Sequence, residues 1–309
     1  MKVIYIMGAG HIGSTILDIV LGSHSRLESL GEISKFHRFG WKLDENRRCA
    51  CGASVYECPF WSQVRQAWAR IIGADDVQRY LELQDRFERS RSGWMRLLRN
   101  TLAPSAEFAE YARCTEALYE AVRSVGRKPV LVDSSLTPRR AYALSRMPGI
   151  DLHLIHMVRD GRGIIWSLMK PGKKTMTKAY VPAPSSRTTR YWISANVQSL
   201  WVSRRVAMDR RKLIRYEDFV SDPAAAVTEI GAWVGEDLSA LVDAHGAVAT
   251  GNVRHTVAGN RVRMQKELVI RADFAWKELL PDKDRRTFWR MAGWLARRFG
   301  YRSERIPLT

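Results

Sequence analysis

The chain has 309 residues, 46% of them hydrophobic, and carries 50 Lys and Arg against 32 Asp and Glu, a formal net charge of +18. It can bury a large core, and its basic excess favours an anionic partner. The apolar run Val3–Met7 is too short for a secretory signal peptide, and no apolar stretch approaches the about 20 residues of a transmembrane helix. We therefore expect a cytoplasmic protein.

The first predicted elements are a strand, a glycine-rich loop and a helix. Val3–Met7 is an apolar, β-branched run typical of a buried strand. The sequence GAGHIGST (Gly8–Thr15) follows, and Ser14–Leu21 has the apolar spacing of a helix. Because the N–H groups and the dipole at a helix N-terminus attract anions, this arrangement predicts a phosphate-binding or sulfate-binding loop.

Two known nucleotide-binding patterns place glycines as in this loop. In a dinucleotide-binding fold, a second buried strand ends in an acidic residue about 20 residues further on. Glu28 and Glu32 have this spacing, but the residues before them are too polar for a buried strand, which disfavours a Rossmann oxidoreductase. The phosphate-loop pattern fits, except that Ser14 replaces its lysine. A P-loop, kinase-like transferase with Asp133 as a magnesium ligand stays an alternative.

Residues 36–128 are predicted to be a mostly helical insertion that shapes a substrate site. Gly93–Asn100 is basic and amphipathic, and we expect it to pack Trp94, Leu97 and Leu98 inward, although peripheral contact with an anionic membrane stays open. Three longer segments have apolar residues at helical spacing: Phe60–Ile72, Val77–Arg89 and Glu107–Arg123.

Three of the four cysteines, Cys49, Cys51 and Cys58, lie close together in this insertion. With His37 or Cys114 as a fourth ligand they have the composition of a zinc site. Their spacing matches no common zinc-binding pattern, and cytoplasmic thiols are usually reduced. We therefore predict reduced thiols and no metal site, with one local disulfide as the minor alternative.

Strands and helices alternate in the second half of the chain. We predict strands at Pro129–Ser135, from Asp151 onward and at Lys212–Asp218, and helices after Thr137, at 161–169, at 191–209, from Pro223 to Gly235 and at 282–299. The Pro-, Ser- and Lys-rich residues 171–190 are a candidate lid loop. This alternation predicts a single α/β domain over residues 1–309, with a P-loop-like parallel sheet flanked by helices.

Several segments resemble PAPS-dependent sulfotransferases, in the branch of the bacterial and protein-tyrosine enzymes. GAGHIGSTILDIVLGSHSRLESLGE resembles their phosphosulfate-binding segment, and HMVRDGRGIIWSLMK resembles their site for the 3′-phosphate of the donor. Other segments resemble the family in the same order: LVDSSLTPRR, RYEDFVSDP, CACGASVYECPFW and HTVAGNRVRMQ…DFAW. The resemblance implies transfer of a sulfuryl group from PAPS (3′-phosphoadenosine 5′-phosphosulfate) to a hydroxyl, with PAP as product and no metal required.

The resemblance also implies roles for individual residues. The 3′-phosphate would be bound by Arg159, which we rank above Arg162, and by Ser167. Two arginines of a late segment, Arg261 and Arg263, would fold over the donor, and we favour Arg263 slightly. The phosphosulfate would be bound by the loop residues Gly10, His11, Ile12, Gly13, Ser14 and Thr15.

Glu32 is the predicted general base, with His24, His37 and His156 as alternatives. His11 stands where the family has a basic residue near the leaving oxygen, so we expect it to act in its protonated form or to be helped by Lys173 or Lys174. The segment VDSSL also lacks the lysine that related enzymes often carry.

The predicted partner is a small-molecule, lipid or carbohydrate acceptor with a hydroxyl group. We expect no specific nucleic-acid binding, because the basic residues are dispersed and no known nucleic-acid-binding motif occurs. The oligomeric state does not follow from the sequence.

Overall fold

The computed structural model describes residues 1–36, 41, 47–73, 76–170, 182–249, 254–265 and 267–303. Its centre is a five-stranded sheet in the order β2-β3-β1-β4-β5, and every neighbouring pair of strands is parallel. The strands are β1 (Lys2–Met7), β2 (Leu27–Gly31), β3 (Val130–Leu136), β4 (Asp151–Val158) and β5 (Arg211–Arg215).

Helices cover both faces of this sheet. They are α1 (Ser14–Gly22), α2 (Pro59–Ile72), α3 (Val77–Gln84), α4 (Gly93–Leu102), α5 (Ala106–Gly126), α6 (Pro138–Leu144), α7 (Gly161–Met169), α8 (Ser185–Ser203), α9 (Tyr216–Ser221), α10 (Pro223–Val234), α11 (Trp276–Leu279) and α12 (Asp282–Arg298). A π-helical turn, Asp85–Arg89, continues α3.

The alternation of side chains along β1 divides the core into two layers. Val3, Tyr5 and Met7 belong to a cluster with apolar residues of α2, α3 and α5. Ile4 and Ile6 point to the other face and join a cluster that contains residues of α1, α10 and α12. Successive residues of a strand face opposite sides, so the continuous apolar run of β1 is explained by burial on both faces.

The expectation that no buried strand precedes Glu32 is wrong, because β2 occupies this segment and is buried along its length. Its polar side chains have partners within the fold. The Lys128 ammonium lies 3.5 Å from the Glu28 carboxylate, and the Ser29 hydroxyl donates a 2.5 Å hydrogen bond to Asp18. A polar sequence can form a buried strand when its polar groups are paired in this way.

The strand order argues against the dinucleotide-binding alternative. In the Rossmann order 3-2-1-4-5-6, the second strand lies directly beside the first. Here β3 lies between β1 and β2, so the acidic residue after β2 does not follow the strand adjacent to the glycine loop. The predicted fold class, a P-loop-like parallel sheet flanked by helices, is confirmed.

Three local predictions were wrong in detail. The helix predicted at 191–209 is α8 and begins at Ser185, so the last residues of the predicted lid loop are helical; residues 171–181 lie outside the described residues. The strand predicted at Lys212–Asp218 ends at Arg215, and α9 begins at Tyr216. On α4, Leu97 is buried as predicted, and Trp94 donates a 2.9 Å hydrogen bond to Gln198, but Leu98 is 43% exposed.

Candidate active site

A cleft of about 1070 Å³ opens at the carboxyl edge of the sheet. One residue at or just beyond the carboxyl end of each of the five strands lines it: Gly8, Glu32, Leu136, Arg159 and Tyr216. In open α/β sheets, ligands bind at this edge. The cleft is therefore the candidate active site.

The glycine loop after β1 is shaped by close contacts with neighbouring elements. Gly8 has φ 152°, and a Cβ atom there would lie 2.3 Å from the Met157 carbonyl oxygen. Gly13 has φ 90°, and its Cβ atom would lie 2.7 Å from the Tyr216 ring. Both positions thus require glycine, which lets the loop pass between β4 and α9 on its way to α1.

The N-terminus of α1 is suited to an anion. The first N–H groups of a helix lack intrahelical acceptors, and no side chain caps this one. Gly10, His11, Gly13, Ser14 and Thr15 line the cleft. The Ile12 side chain is instead fully buried in the core. Only the backbone of Ile12 is therefore suited to contact a ligand. The Gly10 N–H donates a 2.8 Å hydrogen bond to the Tyr191 hydroxyl.

Arg159 lies at the end of β4 and is held in place by three contacts. Its guanidinium donates to the backbone carbonyls of His11 at 3.1 Å and Asp273 at 2.8 Å. It also lies 4.2 Å from the centre of the Tyr216 ring. Ser167 Oγ and His11 Nδ1 are 3.4 Å apart. The structure therefore brings Arg159, Ser167 and His11 together on one side of the cleft.

Asp273 is an acidic residue of this group that the sequence analysis did not single out. Its carboxylate lies 2.8 Å from the Lys170 ammonium and 3.5 Å from the Arg159 guanidinium. Burial raises the pKa of Asp273, but Lys170 and Arg159 together lower it further, so the net shift is downward. Asp273 is therefore ionised at neutral pH and is an internal counterion for the two cations.

Arg162 is held by contacts within the fold and does not line the cleft. Its guanidinium makes a 2.8 Å ion pair with Asp160 and lies 4.4 Å from the Trp276 ring centre. The Asp160 side chain also accepts the Arg162 backbone N–H and so caps α7. These contacts support ranking Arg159 above Arg162 as the candidate phosphate ligand.

Glu32 lies directly after β2 and lines the cleft. Its carboxylate pairs with the Lys35 ammonium. A Cβ atom on Gly259 would lie 3.8 Å from Glu32 Oε1, so the late segment of the chain passes close to this carboxylate. Lys35 was not recognised from the sequence as a site residue.

The late segment reaches the cleft, but its two predicted arginines do not line it. The Asn260 N–H donates to the Thr15 hydroxyl at 3.3 Å, which places this segment over the N-terminus of α1. Arg261 is exposed, and the buried Arg263 donates to the Arg48 carbonyl at 3.0 Å. Arg271 does line the cleft, although no motif in the sequence indicated it.

The alternative bases and the alternative magnesium ligand lie elsewhere. His156 is buried and hydrogen-bonds with Asn196 at 3.0 Å, and burial lowers its pKa to about 4. His24 accepts the Arg26 N–H before β2, at the opposite edge of the sheet. Asp133 is fully buried in an ion pair with Arg140. His37, Lys173 and Lys174 lie outside the described residues.

A family model described as "Sulfotransferase family" matches residues 4–240. The chain belongs to the sulfotransferase family. The family identified from the glycine loop and the Arg159 segment is therefore confirmed. No curated protein sequence matches the chain.

Solved sulfotransferase domains have a similar fold. The domain from the Synechococcus PCC 7002 olefin synthase shares 19% identity, with 98% of this chain and 95% of that chain covered and a TM-score of 0.53. The domain from the curacin biosynthetic pathway shares 15% identity, with coverages of 98% and 99% and a TM-score of 0.49. The first similarity supports the sulfotransferase fold, and at 19% identity it says nothing about the acceptor.

None of the described helices is long and apolar enough to span a membrane.

Proposed function

We propose that this sulfotransferase transfers a sulfuryl group from PAPS to a hydroxyl of a small-molecule, lipid or carbohydrate acceptor and releases PAP. The observation that carries the proposal is the presence of two anion-binding features in one cleft. One is the uncapped N-terminus of α1 behind Gly13. The other is Arg159, fixed beside Ser167 and His11.

The cleft suits a ligand with negative charge at both ends. Its volume of about 1070 Å³ is at the upper end of ordinary ligand pockets, which leaves space for an acceptor beside the nucleotide. Arg159 is oriented by two backbone carbonyls and shares the single carboxylate of Asp273 with Lys170, so the group keeps net positive charge for a phosphate. Lys35, Lys170 and Arg271 add further positive charge to the lining.

In this proposal, PAPS supplies the activated sulfuryl group and the chain supplies binding, orientation and proton transfer. The N–H groups at the start of α1 hold the phosphosulfate. Arg159 and Ser167 bind the 3′-phosphate. Glu32, on the other side of the loop, accepts the proton of the acceptor hydroxyl. His11 lies in the loop between Arg159 and Glu32, and its protonated imidazole places positive charge near the leaving phosphate. No metal is required in the cleft.

Ligand-dependent stability tests the donor. A ligand at 100 times its Kd stabilises the folded state by about 2.7 kcal/mol. We expect PAP to raise the melting temperature in a concentration-dependent way, whereas NAD and ATP do not, with or without Mg²⁺. Stabilisation by ATP and Mg²⁺ but not by PAP would instead support the kinase-like alternative.

The variant Glu32→Gln tests the proposed base. Because it removes the proton acceptor and keeps the size of the side chain, we expect kcat to fall about 10²–10⁴-fold, with PAP affinity unchanged. Glu229→Gln on the outer surface of α10 is the matched control, since its partner Lys212 is remote from the cleft. Normal turnover in Glu32→Gln would contradict the assignment.

The acceptor is best identified with labelled PAPS in a host extract, followed by isolation of the molecule that gains the label. We propose that the helical insertion 36–128 and the segment 171–190, whose last six residues begin α8, shape the acceptor side of the cleft. The cytoplasmic location stays a prediction from the sequence.

A further inference from the structure

A cluster of metal-ligand side chains lies outside the cleft. Cys49, Cys51, Cys58 and His255 each point one ligand atom to a common centre, and these four atoms lie within 4.8 Å of one another. All three cysteines are free thiols. Two of them, Cys49 and Cys58, are buried, while Cys51 is partly exposed. His37 and Cys114 were the fourth ligands suggested by the sequence, and His255 was not among them.

Four of the six separations between these atoms are close to those of a tetrahedral zinc site, and all six are within 4.8 Å. With Zn–S about 2.3 Å and Zn–N about 2.0–2.1 Å, two ligand sulfurs lie about 3.8 Å apart and a sulfur and a nitrogen about 3.6 Å apart. Cys58 Sγ is 3.7 Å from the sulfurs of both Cys49 and Cys51. His255 Nδ1 is 3.8 Å from Cys49 Sγ and 3.3 Å from Cys58 Sγ.

Backbone structure holds the three cysteines in place. Cys49 and Cys51 lie in a tight turn in which the Gly52 N–H donates to the Cys49 carbonyl, and Gly52 has φ 97°. The turn is closed by an antiparallel bridge between Arg48 and Ser54. Cys58 is the residue before α2, with Pro59 at its first position. The sulfurs at 3.7 Å are too far apart for a disulfide bond, which is about 2.05 Å long.

The fourth side chain comes from the late segment and is also fixed. The His255 ring stacks on Phe60 with centres 4.8 Å apart and planes 6° apart. The His255 carbonyl accepts the Trp61 indole N–H at 2.6 Å. These contacts leave Nδ1 facing the three sulfurs, which is the orientation that a metal ligand needs.

A buried cation, Arg263, lies beside the cluster. A zinc ion with three thiolates and one neutral imidazole carries one net negative charge. The Arg263 guanidinium is buried nearby, where burial lowers its pKa and the Cys49 sulfur opposes this shift. Arg263, predicted from the sequence to bind the donor, therefore lies where it compensates the charge of this cluster.

We propose that Cys49, Cys51, Cys58 and His255 bind one structural Zn²⁺ ion. Four protein ligands leave no open position, so the ion has no part in the chemistry. It links the turn before α2 to the segment that carries Gly259 and Asn260, which contacts the glycine loop through Thr15. Zinc thus fixes the late segment over the N-terminus of α1. Binding releases the protons that remain on the thiols.

Metal analysis of the purified full chain tests this proposal. We expect about one zinc ion per chain in the wild type, measured by elemental analysis after removal of loosely bound metal. Cys49→Ser and Cys58→Ser should lose at least about 80% of this zinc because one strong ligand is removed. Cys114→Ser is the matched control, since Cys114 lies on α5 outside the group, and it should retain full zinc.

Two measurements keep the test decisive if the cysteine variants fail to fold. Cobalt added to metal-free wild type should give the thiolate charge-transfer and tetrahedral ligand-field bands of a three-sulfur site, and Cys114→Ser should give the same spectrum. In His255→Asn, hydrogen exchange of residues 254–265 should increase while the sheet stays protected. Wild type without zinc, iron in place of zinc, or full zinc in His255→Asn and Cys58→Ser would each overturn the proposal.

Discussion

Two buried arginines, Arg140 and Arg159, have very different partners. Arg140 on α6 is 0% exposed, and its guanidinium donates to the carboxylates of Glu88 at 2.6 Å and Asp133 at 3.2 Å. Arg159 is 5% exposed, and its two hydrogen bonds within 3.1 Å go to backbone carbonyls. Asp273 is its acidic neighbour at 3.5 Å, shared with Lys170.

Under the proposed function, the same kind of side chain serves stability at one place and binding at another. Arg140 lies between two carboxylates and has no access to solvent, so its positive charge is balanced within the core. Carbonyl groups orient Arg159, the Asp273 carboxylate beside it is shared with Lys170, and the side chain borders the cleft. The kind of partner, more than the degree of burial, therefore separates the two roles.

The variant Arg140→Ala gives the largest expected effect. It leaves the Glu88 and Asp133 carboxylates buried without their cation, and we expect a loss of about 3–5 kcal/mol in the free energy of unfolding. Denaturant unfolding measures this loss. Arg26→Ala, which removes an exposed ion pair with Glu236, should have little effect. If the loss of stability comes from these two unpaired carboxylates, neutralising them should reverse it. The triple variant Arg140→Met, Glu88→Gln and Asp133→Asn should then recover most of the lost free energy of unfolding.

Asp18 provides a third case, a buried carboxyl with a neutral hydrogen-bond donor, Ser29. Burial raises its pKa to about 7, so between about pH 4 and pH 7 the folded state binds a proton that the unfolded state has released. Stability from this group is therefore complete at acid pH and is lost as pH rises towards 7.

The variant Asp18→Asn should remove this pH dependence. We expect it to differ from the wild type by only about 1 kcal/mol at pH 4.5, and to be more stable than the wild type at pH 8 by up to about 4 kcal/mol. Denaturant unfolding of both proteins across this range measures the difference, in which other titrating groups cancel. An equal difference at both pH values would mean that Asp18 does not titrate in this range.

The variant Arg159→Ala should act on binding more than on folding. Charge-assisted hydrogen bonds contribute about 1.5–3 kcal/mol, so PAP affinity should fall about 10–100-fold by calorimetry. The melting temperature without ligand should fall less than in Arg140→Ala. An unchanged affinity would remove Arg159 from the donor site and with it the distinction drawn between the two arginines.

The smallest expected effect is that of His11→Asn. Asn tolerates the left-handed backbone of this residue, φ 67°, better than Ala does. We expect kcat to fall about tenfold, and the decline of wild-type activity with rising pH between about 6 and 8 to disappear. Full turnover with an unaltered pH profile would show that His11 does not act as a cation.

The local predictions succeeded where a short stretch of chain contains all that determines the structure. The glycine loop and its helix follow from spacing within the β1–α1 unit, and the family resemblance pointed to Arg159 and Ser167, which the structure brings to the same cleft. The prediction failed at β2, because Glu28 and Ser29 depend on Lys128 and Asp18 for their burial. Arg263, which the resemblance implied as a donor ligand, does not line the cleft and lies beside the cysteine cluster.

The sequence by itself predicted the fold class from apolar periodicity, and the family from the resemblance of short segments. It also indicated the two segments that we propose to bind anions, because each consists of residues close together in the chain. Only the tertiary structure brought Arg271 and Asp273 to the cleft and His255 to three cysteines about 200 positions earlier. Contacts between distant segments depend on how α2 and the late segment pack against the sheet. No local pattern encodes that packing.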